Sequence, residues 1–326
     1  ERTGEETHWT NSMFGGMPSV QISMLHEGNY INQLVKSFIR SFPPPAGIVF
    51  LYMLGFYIFA MCLRINPWIG LFGSIAFGFL TYNIVIIQAG HNSKALATAF
   101  MAPVVGSFIM AYRDRLRWGI AFSALFMTIQ LSMNHLQVSY YMIILLFVIG
   151  AVLFVEEGFR KKRMKNTLFA TGGIIAAYLI AAMINYGNIG LTNDYAKNSI
   201  RGTNDVTIAP DGTSNKANST SGLNKDYVTE YSNGLGESFS LISPYVKGAA
   251  SGAIGNTHFA ETVDEMDFSF DEREAILTGK ASYWGDQTAS AGPAYMGIVV
   301  VVIALLAVVL FPTSMNIGIL FVSILA

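Results

Sequence analysis

The sequence predicts an all-α fold: a polytopic transmembrane helix bundle carrying an outer amphipathic helix and a large extracytoplasmic insertion. Three observations predict it. Of 326 residues, 52% are hydrophobic and only 13% charged, with a mean hydropathy of +0.44, too apolar for an ordinary soluble domain. Apolar runs recur along the chain, each near the ~20 residues that cross a bilayer as a helix. The short connections between them gather Lys and Arg in alternation, as cytoplasmic loops do. The lipid bilayer is therefore the expected partner. A net charge of -1 argues against nucleic acid, whose binders show a basic face to the phosphates. Cys62 is the single cysteine and lies inside an apolar run, so no disulfide framework or cysteine metal site is expected.

Residues 1–44 read as a first extracytoplasmic loop ending in an interfacial helix. Trp9 to Pro18 combines aromatic, amide and sulfur side chains with a Gly-Gly-x-Pro turn, which suits a compact loop because glycine permits positive φ and proline fixes the exit. Such a loop either lines a site or caps the bundle. Ile31, Leu34, Val35, Phe38 and Phe42 then recur at helical spacing opposite Asn32, Lys36, Ser37 and Arg40. Pro43-Pro44-Pro45 ends that helix, which is expected to lie in the membrane interface.

Residues 45–186 read as a six-helix transmembrane block, with spans near 46–64, 67–88, 95–112, 118–133, 138–155 and 167–186. Arg113, Arg115 and Arg117 fill one connection, and Arg160, Lys161, Lys162, Arg163 and Lys165 fill another. Placing both inside puts residues 1–44 and 187–293 outside. The first part of the insertion, Asn198 to Asn224, is rich in Asn, Thr, Ser and Gly and reads as a long loop, with a sequon match at Asn218. A short helix is expected within Glu261 to Leu277. Residues 294–326 hold a seventh span and a truncated eighth. The chain opens at Glu1 and stops within the last apolar run, and we expect a piece of a longer bacterial inner-membrane protein.

In the six-helix block the carboxylates are Asp114, Glu156 and Glu157, all at cytoplasmic ends. No acid lies mid-membrane, which weakens a proton- or sodium-coupled carrier. Polar side chains collect instead at the outer ends of spans: Gln88, His91, Asn92, Ser93 and Lys94 in one cluster, and Asn134, His135, Gln137, Ser139, Tyr140 and Tyr141 in another. Either cluster alone suits an interfacial helix end, with Lys94 snorkelling. Together they suit a lipid-linked phosphate, which needs a cation and amide or imidazole donors above an apolar groove. Lys94, His91 and Asn92 would supply the first, with Gly15-Gly16 amides close by. Trp9, Asn11, Tyr140 and Trp284 would offer aromatic faces and amides to a sugar.

Trp9 to Pro18 followed by Gln21-Ile22-Ser23 resembles the first outer loop of YfhO-like bacterial membrane proteins in their Bacteroidetes form. Gln88 to Lys94, Asn134 to Tyr141, Glu230 to Gly234 with Gly236-Glu237-Ser238, and Tyr283 to Gln287 resemble further landmarks of that family, in order. The resemblance implies a GT-C-like integral-membrane glycosyltransferase that moves a sugar from a polyprenyl-phosphate carrier to an envelope glycan or glycolipid acceptor. It implies an acidic base or metal ligand in the first outer loop, expected upstream of Glu1 and not transferred to Glu5 or Glu6; the piece is then inactive alone. His91, Asn92 and Lys94 would contact the carrier phosphate, Trp9, Asn11 and Tyr140 the sugar or acceptor, with Asn134 and His135 in support and Glu237 a weaker catalytic candidate. No soluble cofactor is implied, although a divalent metal is compatible with the class. The rival readings are a lipid or polysaccharide transporter or flippase, and a non-catalytic envelope scaffold.

Overall fold

The computed structural model describes residues 9–12, 16–19, 29–113, 115–197, 229, 232–253, 258–279, 281–287, 290, 292–313 and 316–318. The chain divides into two units, residues 1–74 with 96–224, and residues 75–95 with 225–326. Residues 75–95 thus leave the block of six helices read from the sequence and belong with the C-terminal unit.

The first unit opens with a two-stranded hairpin, β1 (Trp9–Thr10) against β2 (Met17–Pro18), with Trp9 opposite Pro18. Helix α1 (Tyr30–Arg40) follows, where the amphipathic pattern placed it. Asn29 caps its start by accepting from the Asn32 amide at 3.0 Å, and the prolines at 43–45 prevent continuation. Its apolar face packs on α2 (Ala46–Cys62) through stacked and tilted rings of Phe38, Phe42 and Phe50. Along the chain α3 (Pro67–Gly78) follows, and after a 43° bend α4 (Thr81–Gln88), which belongs to the second unit. Asn83 reaches back across that break to the Phe77 carbonyl at 2.8 Å. Helices α5 (Asn92–Ala99) and α6 (Met101–Arg113) form one 22-residue rod. After α7 (Leu116–Ser132), α8 (Leu136–Leu153) runs on into a π-helical turn, Phe154–Arg160. Helix α9 (Met164–Ile184) and α10 (Tyr186–Lys197) complete the unit.

All seven spans expected from the sequence fall on helices, yet among the described residues three helices are long and apolar enough to cross a membrane, or four if the bent pair counts as one. Length makes the difference. Helices α2 and α7 have 17 residues each and Ile298–Leu310 has 13, short of the ~20 a span needs. Helix α10 also continues to Lys197, where the sequence suggested that the insertion begins at 187. The Asn218 sequon and the eighth span lie outside the described residues, apart from a helical turn at 316–318.

Helix α6 is the centre of the first unit. Nine of its residues, from Pro103 to Tyr112, are buried, against α2, α7, α8 and α9. Small residues set the approach, as they do where lipid offers no hydrophobic drive between helices. A Cβ added at Gly106 would stand 2.8 Å from Phe59 Cα on α2. One added at Gly119 would meet the Ala111 backbone, and one at Gly55 the Ala99 carbonyl. Hydroxyls inside the helices bond to their own preceding turn: Ser74 to Gly70, Ser107 to Pro103, Thr128 to Ala124 and Thr167 to Arg163. They need no external partner. Tyr112 with Thr171 and Ser123 with Tyr178, each at 3.0 Å, tie α6 and α7 to α9.

At the α8 to α9 connection the π-helical turn buries Glu157, which is 1% exposed. Lys161 answers it at 2.7 Å and Arg163 at 3.7 Å. Arg163 also donates to the Arg113 carbonyl at 3.3 Å, joining the two basic connections.

In the second unit β3 (Gly248–Ala253) pairs antiparallel with β4 (Ala281–Tyr283). The single helix expected within Glu261 to Leu277 is two, Phe259–Glu265 and Phe270–Gly279. Met266 is extended, and Ser269 with Glu272 forms a reciprocal capping box that starts the second helix. The Thr81 amide donates to the Tyr295 carbonyl and the Met296 amide to the Leu241 carbonyl.

The packing around α6 predicts a contrast between two helical glycines. Gly106→Val should destabilise the first unit by about 1–3 kcal/mol through overpacking. Gly172→Ala, where an added Cβ meets nothing within 4 Å, should be neutral or stabilising by up to ~1 kcal/mol. Unfolding in a denaturing detergent series checks both.

Candidate functional site

An amide-rich layer closes one end of the first unit. It begins at the α7 to α8 hairpin, which turns within three residues because Asn134 adopts φ 55°, a left-handed conformation that Asn tolerates better than branched residues. The amides of Met133 and Asn134 close the end of α7 on Gln130 and Leu131. His135 then starts α8, its carbonyl accepting from the Val138 and Ser139 amides. Behind the turn, fully buried Gln130 accepts from the Ser139 hydroxyl at 2.9 Å. Ser132 offers its carbonyl to the Asn32 side-chain amide at 2.8 Å, fastening α1 to α7. Asn185, buried at the end of α9, donates to the carbonyls of Thr128 at 3.1 Å and Ala181 at 2.9 Å.

These bonds shape a pocket of about 340 Å³ lined by Asn29, Tyr30, Ile31, Ile184, Asn185, Gly187 and Asn188. Among the described residues no charged side chain lines it. Two amides able to donate and accept, Asn29 and Asn188, and the Asn185 amide oxygen, with a tyrosine and two isoleucines, suit a neutral ligand bearing hydroxyls and an apolar face. Sequence reading did not single out these residues. The nearest local sign is Asn185-Tyr186-Gly187-Asn188 directly after an apolar run. Asn29 joins them through the fold alone.

Of the residues singled out in the sequence, Asn134 and His135 form the hairpin itself. Tyr140 lies exposed one turn later, its ring 5.8 Å from that of Tyr141. Trp9 and Asn11 meet in the N-terminal hairpin, the indole donating to the amide oxygen at 2.9 Å. The same indole covers Gly16, whose φ of 123° and missing Cβ leave it room. Met13 to Gly15, Gln21 to Ser23, Glu5 and Glu6 lie outside the described residues.

On the second unit His91 and Asn92 are exposed at the start of α5, and the His91 carbonyl accepts the Ala95 amide at 2.9 Å. The Lys94 ammonium stands over the Tyr82 ring at 5.3 Å, a cation–π distance. Elsewhere in that unit two sequence landmarks meet. Glu237 accepts from the Tyr283 hydroxyl at 2.7 Å and from the Asp286 amide, while Gln287 donates to Asn233 and, through its backbone, to the Tyr283 hydroxyl. The Tyr283 hydroxyl, and secondarily the Asp286 amide, hold the Glu237 carboxyl below its usual range. Glu237 is thus an ionised clasp between the two segments, whereas a general base works best when tuned upward toward neutrality. Glu230 and Tyr231 lie outside the described residues. Among the described residues no group of three His, Cys, Asp or Glu is placed to hold a metal.

Two predictions separate structural from ligand-binding roles. Asn134→Gly should keep the hairpin intact, whereas Asn134→Val should cost about 1–2 kcal/mol in chemical unfolding. For the clasp, a lowered folded pKa means that its contribution is full above the ordinary carboxylate value of about 4.3 and is lost as pH falls through the lower folded value. Amide exchange at Asp286, corrected for intrinsic rates, should lose protection across that acidic window, and Glu237→Gln should remove the dependence. Compared with family models, curated proteins and solved structures, the chain matches none of them.

Proposed function

We propose that the chain belongs to a GT-C-like glycosyltransferase of the YfhO-like kind, which moves a sugar from a polyprenyl-phosphate carrier to an envelope glycopolymer or glycolipid. Transfer takes place at the extracytoplasmic face of the bacterial inner membrane, with residues 1–44 and 187–293 on that side. The observation that carries this reading is the uncharged amide pocket of Asn29, Asn185 and Asn188 beside Tyr30. Its helix ends are opposite, along α7 and α9, to the basic connections that mark the cytoplasmic side. A hydroxyl-rich ring is recognised by paired amide donors and acceptors with an aromatic or apolar face, and that is the pocket's composition. An ion would call for an opposite charge, which none of the described lining residues carries.

His91, Asn92 and Lys94 keep the role of carrier-phosphate contacts on their own unit. The exposed start of α5 and the nearby ammonium both favour an anion. In the reaction an ionised carboxylate acts as base and takes the proton of the acceptor hydroxyl, whose oxygen attacks the anomeric carbon as the bond to the lipid phosphate breaks and that phosphate leaves. None of the described pocket-lining residues is an acid, and in this reading the carboxylate is supplied from outside them. A transporter or flippase would use the same pocket without any base.

The test is sugar transfer by the full-length protein in vesicles supplied with a polyprenyl-phosphate sugar. Asn188→Ala and Tyr30→Ala should each lower transfer by about tenfold, the worth of a hydrogen bond or an aromatic contact. Replacing His91 and Lys94 together should abolish carrier use. Undiminished transfer in all these variants would overturn the assignment. Carrier movement across the vesicle without transfer would favour the flippase.

A further inference from the structure

The other end of the first unit carries a second concavity, unused by the proposed reaction. A groove of about 410 Å³ runs along α6, α8 and α9. Phe108, Leu146 and Ile174 form its buried floor, and Phe147 and Ile175 its exposed rim. Gly150 and Ala151 keep it open, a Cβ at Gly150 standing 3.1 Å from the Phe108 ring. The hydroxyls that border it are already bonded to protein, Tyr112 to Thr171 and Tyr178 to Ser123. What the groove offers a ligand is apolar surface.

Its length is informative. On α8 the lining runs from Ile143 to Phe154, roughly 16 Å at about 1.5 Å per residue. That is about half of the ~30 Å hydrocarbon core, the depth of one leaflet. At the Phe154 end the chain turns through the basic connection. Arg113 follows directly on Tyr112, a groove residue, and Arg163 holds the Arg113 carbonyl at 3.3 Å. Glu157 is answered by Lys161 at 2.7 Å, while Lys162 and Lys165 are exposed. A leaflet-deep apolar groove thus ends at an excess of cations. A phospholipid with an anionic headgroup matches both features, with its acyl chain in the groove and its phosphate on the basic loop. A zwitterionic headgroup would bring its own cation against the cluster.

We propose that the groove between α8 and α9 is a binding site for one anionic phospholipid of the leaflet that faces the Arg113 and Lys162 loops. The full chain in nanodiscs of equal phosphatidylglycerol and phosphatidylcholine, released for native mass spectrometry, should retain phosphatidylglycerol about tenfold over phosphatidylcholine. Lys162→Gln with Lys165→Gln, both on the surface, should bring the ratio toward one, and raised salt should do the same. Ala151→Phe, which fills the groove, should remove both lipids. Phe147→Ala trims an exposed rim residue and should lower occupancy in a chain whose folding it leaves alone. Inorganic phosphate at millimolar concentration should displace nothing. The proposal is overturned by equal retention of the two lipids, by a preference that survives the double Gln variant, by occupancy unchanged in both groove variants, or by displacement with phosphate.

Discussion

The first unit depends on how closely helix backbones can approach α6. In an apolar surrounding, burying a leucine against a neighbouring helix gains little over burying it in lipid, so association rests on dispersion between closely fitted surfaces. Gly55, Gly106 and Gly119 make that fit, letting α2 and α7 press their backbones onto α5 and α6. The exposed large hydrophobics follow from the same constraint. Trp68, Phe147, Phe169 and Met183 point outward, where a soluble protein would show charge and a bilayer-facing helix shows apolar side chains.

Polarity is then sorted along the helix axes. Mid-helix hydroxyls such as Ser74, Ser107, Thr128 and Thr167 are satisfied by the preceding turn of their own helix, and Ser123 with Tyr178 and Tyr112 with Thr171 satisfy one another between helices. Amides and histidine gather at the α7 to α8 turn and the end of α9. Cations gather where α6 meets α7 and α8 meets α9. Each end is therefore suited to a different chemistry, neutral hydrogen bonding at one and anion attraction at the other. Glu157 belongs to the second end, and its burial is tolerable because Lys161 and Arg163 supply opposite charge within the same turn.

How much of this could be read from sequence follows from which features are local. The α1 stripe of Ile31, Leu34, Val35 and Phe38 has helical period ahead of a triple proline, and the helix forms there, ending at Arg40 with Phe42 beyond its last turn. The α7 to α8 hairpin was legible because two apolar runs leave few residues to turn. The box of Ser269 and Glu272 was there to be read as a helix start, and missing it merged two helices into one. Other features have no local signature. The bend after Gly78 is secured by Asn83 bonding to Phe77, and composition alone does not distinguish such an asparagine from one on a surface. The pocket joins Asn29 to Asn185 across the whole block of helices, which only the packing of α1 on α7 brings about. Glu237 and Tyr283 were visible as separate landmarks, but their clasp needed the β3 and β4 pairing.

The amide layer also carries a cost in stability. The Nε2 of Gln130 and the Oδ1 of Asn32 are buried without a hydrogen-bond partner, each a loss of about 1–3 kcal/mol relative to a satisfied group. Stability alone would place leucine or methionine at such positions, because replacing a half-satisfied amide by an apolar side chain of similar shape is close to neutral or favourable. The mid-helix hydroxyls show that this chain can bury polar groups without such a deficit. Two such amide atoms lie in the layer that frames the pocket of Asn29, Asn185 and Asn188, where a binding role would offset their cost. A site that discriminates by hydrogen bonding needs polar groups that lose more when the wrong ligand leaves them unpaired. That requirement supplies a physical reason to keep amides where an apolar core would be more stable.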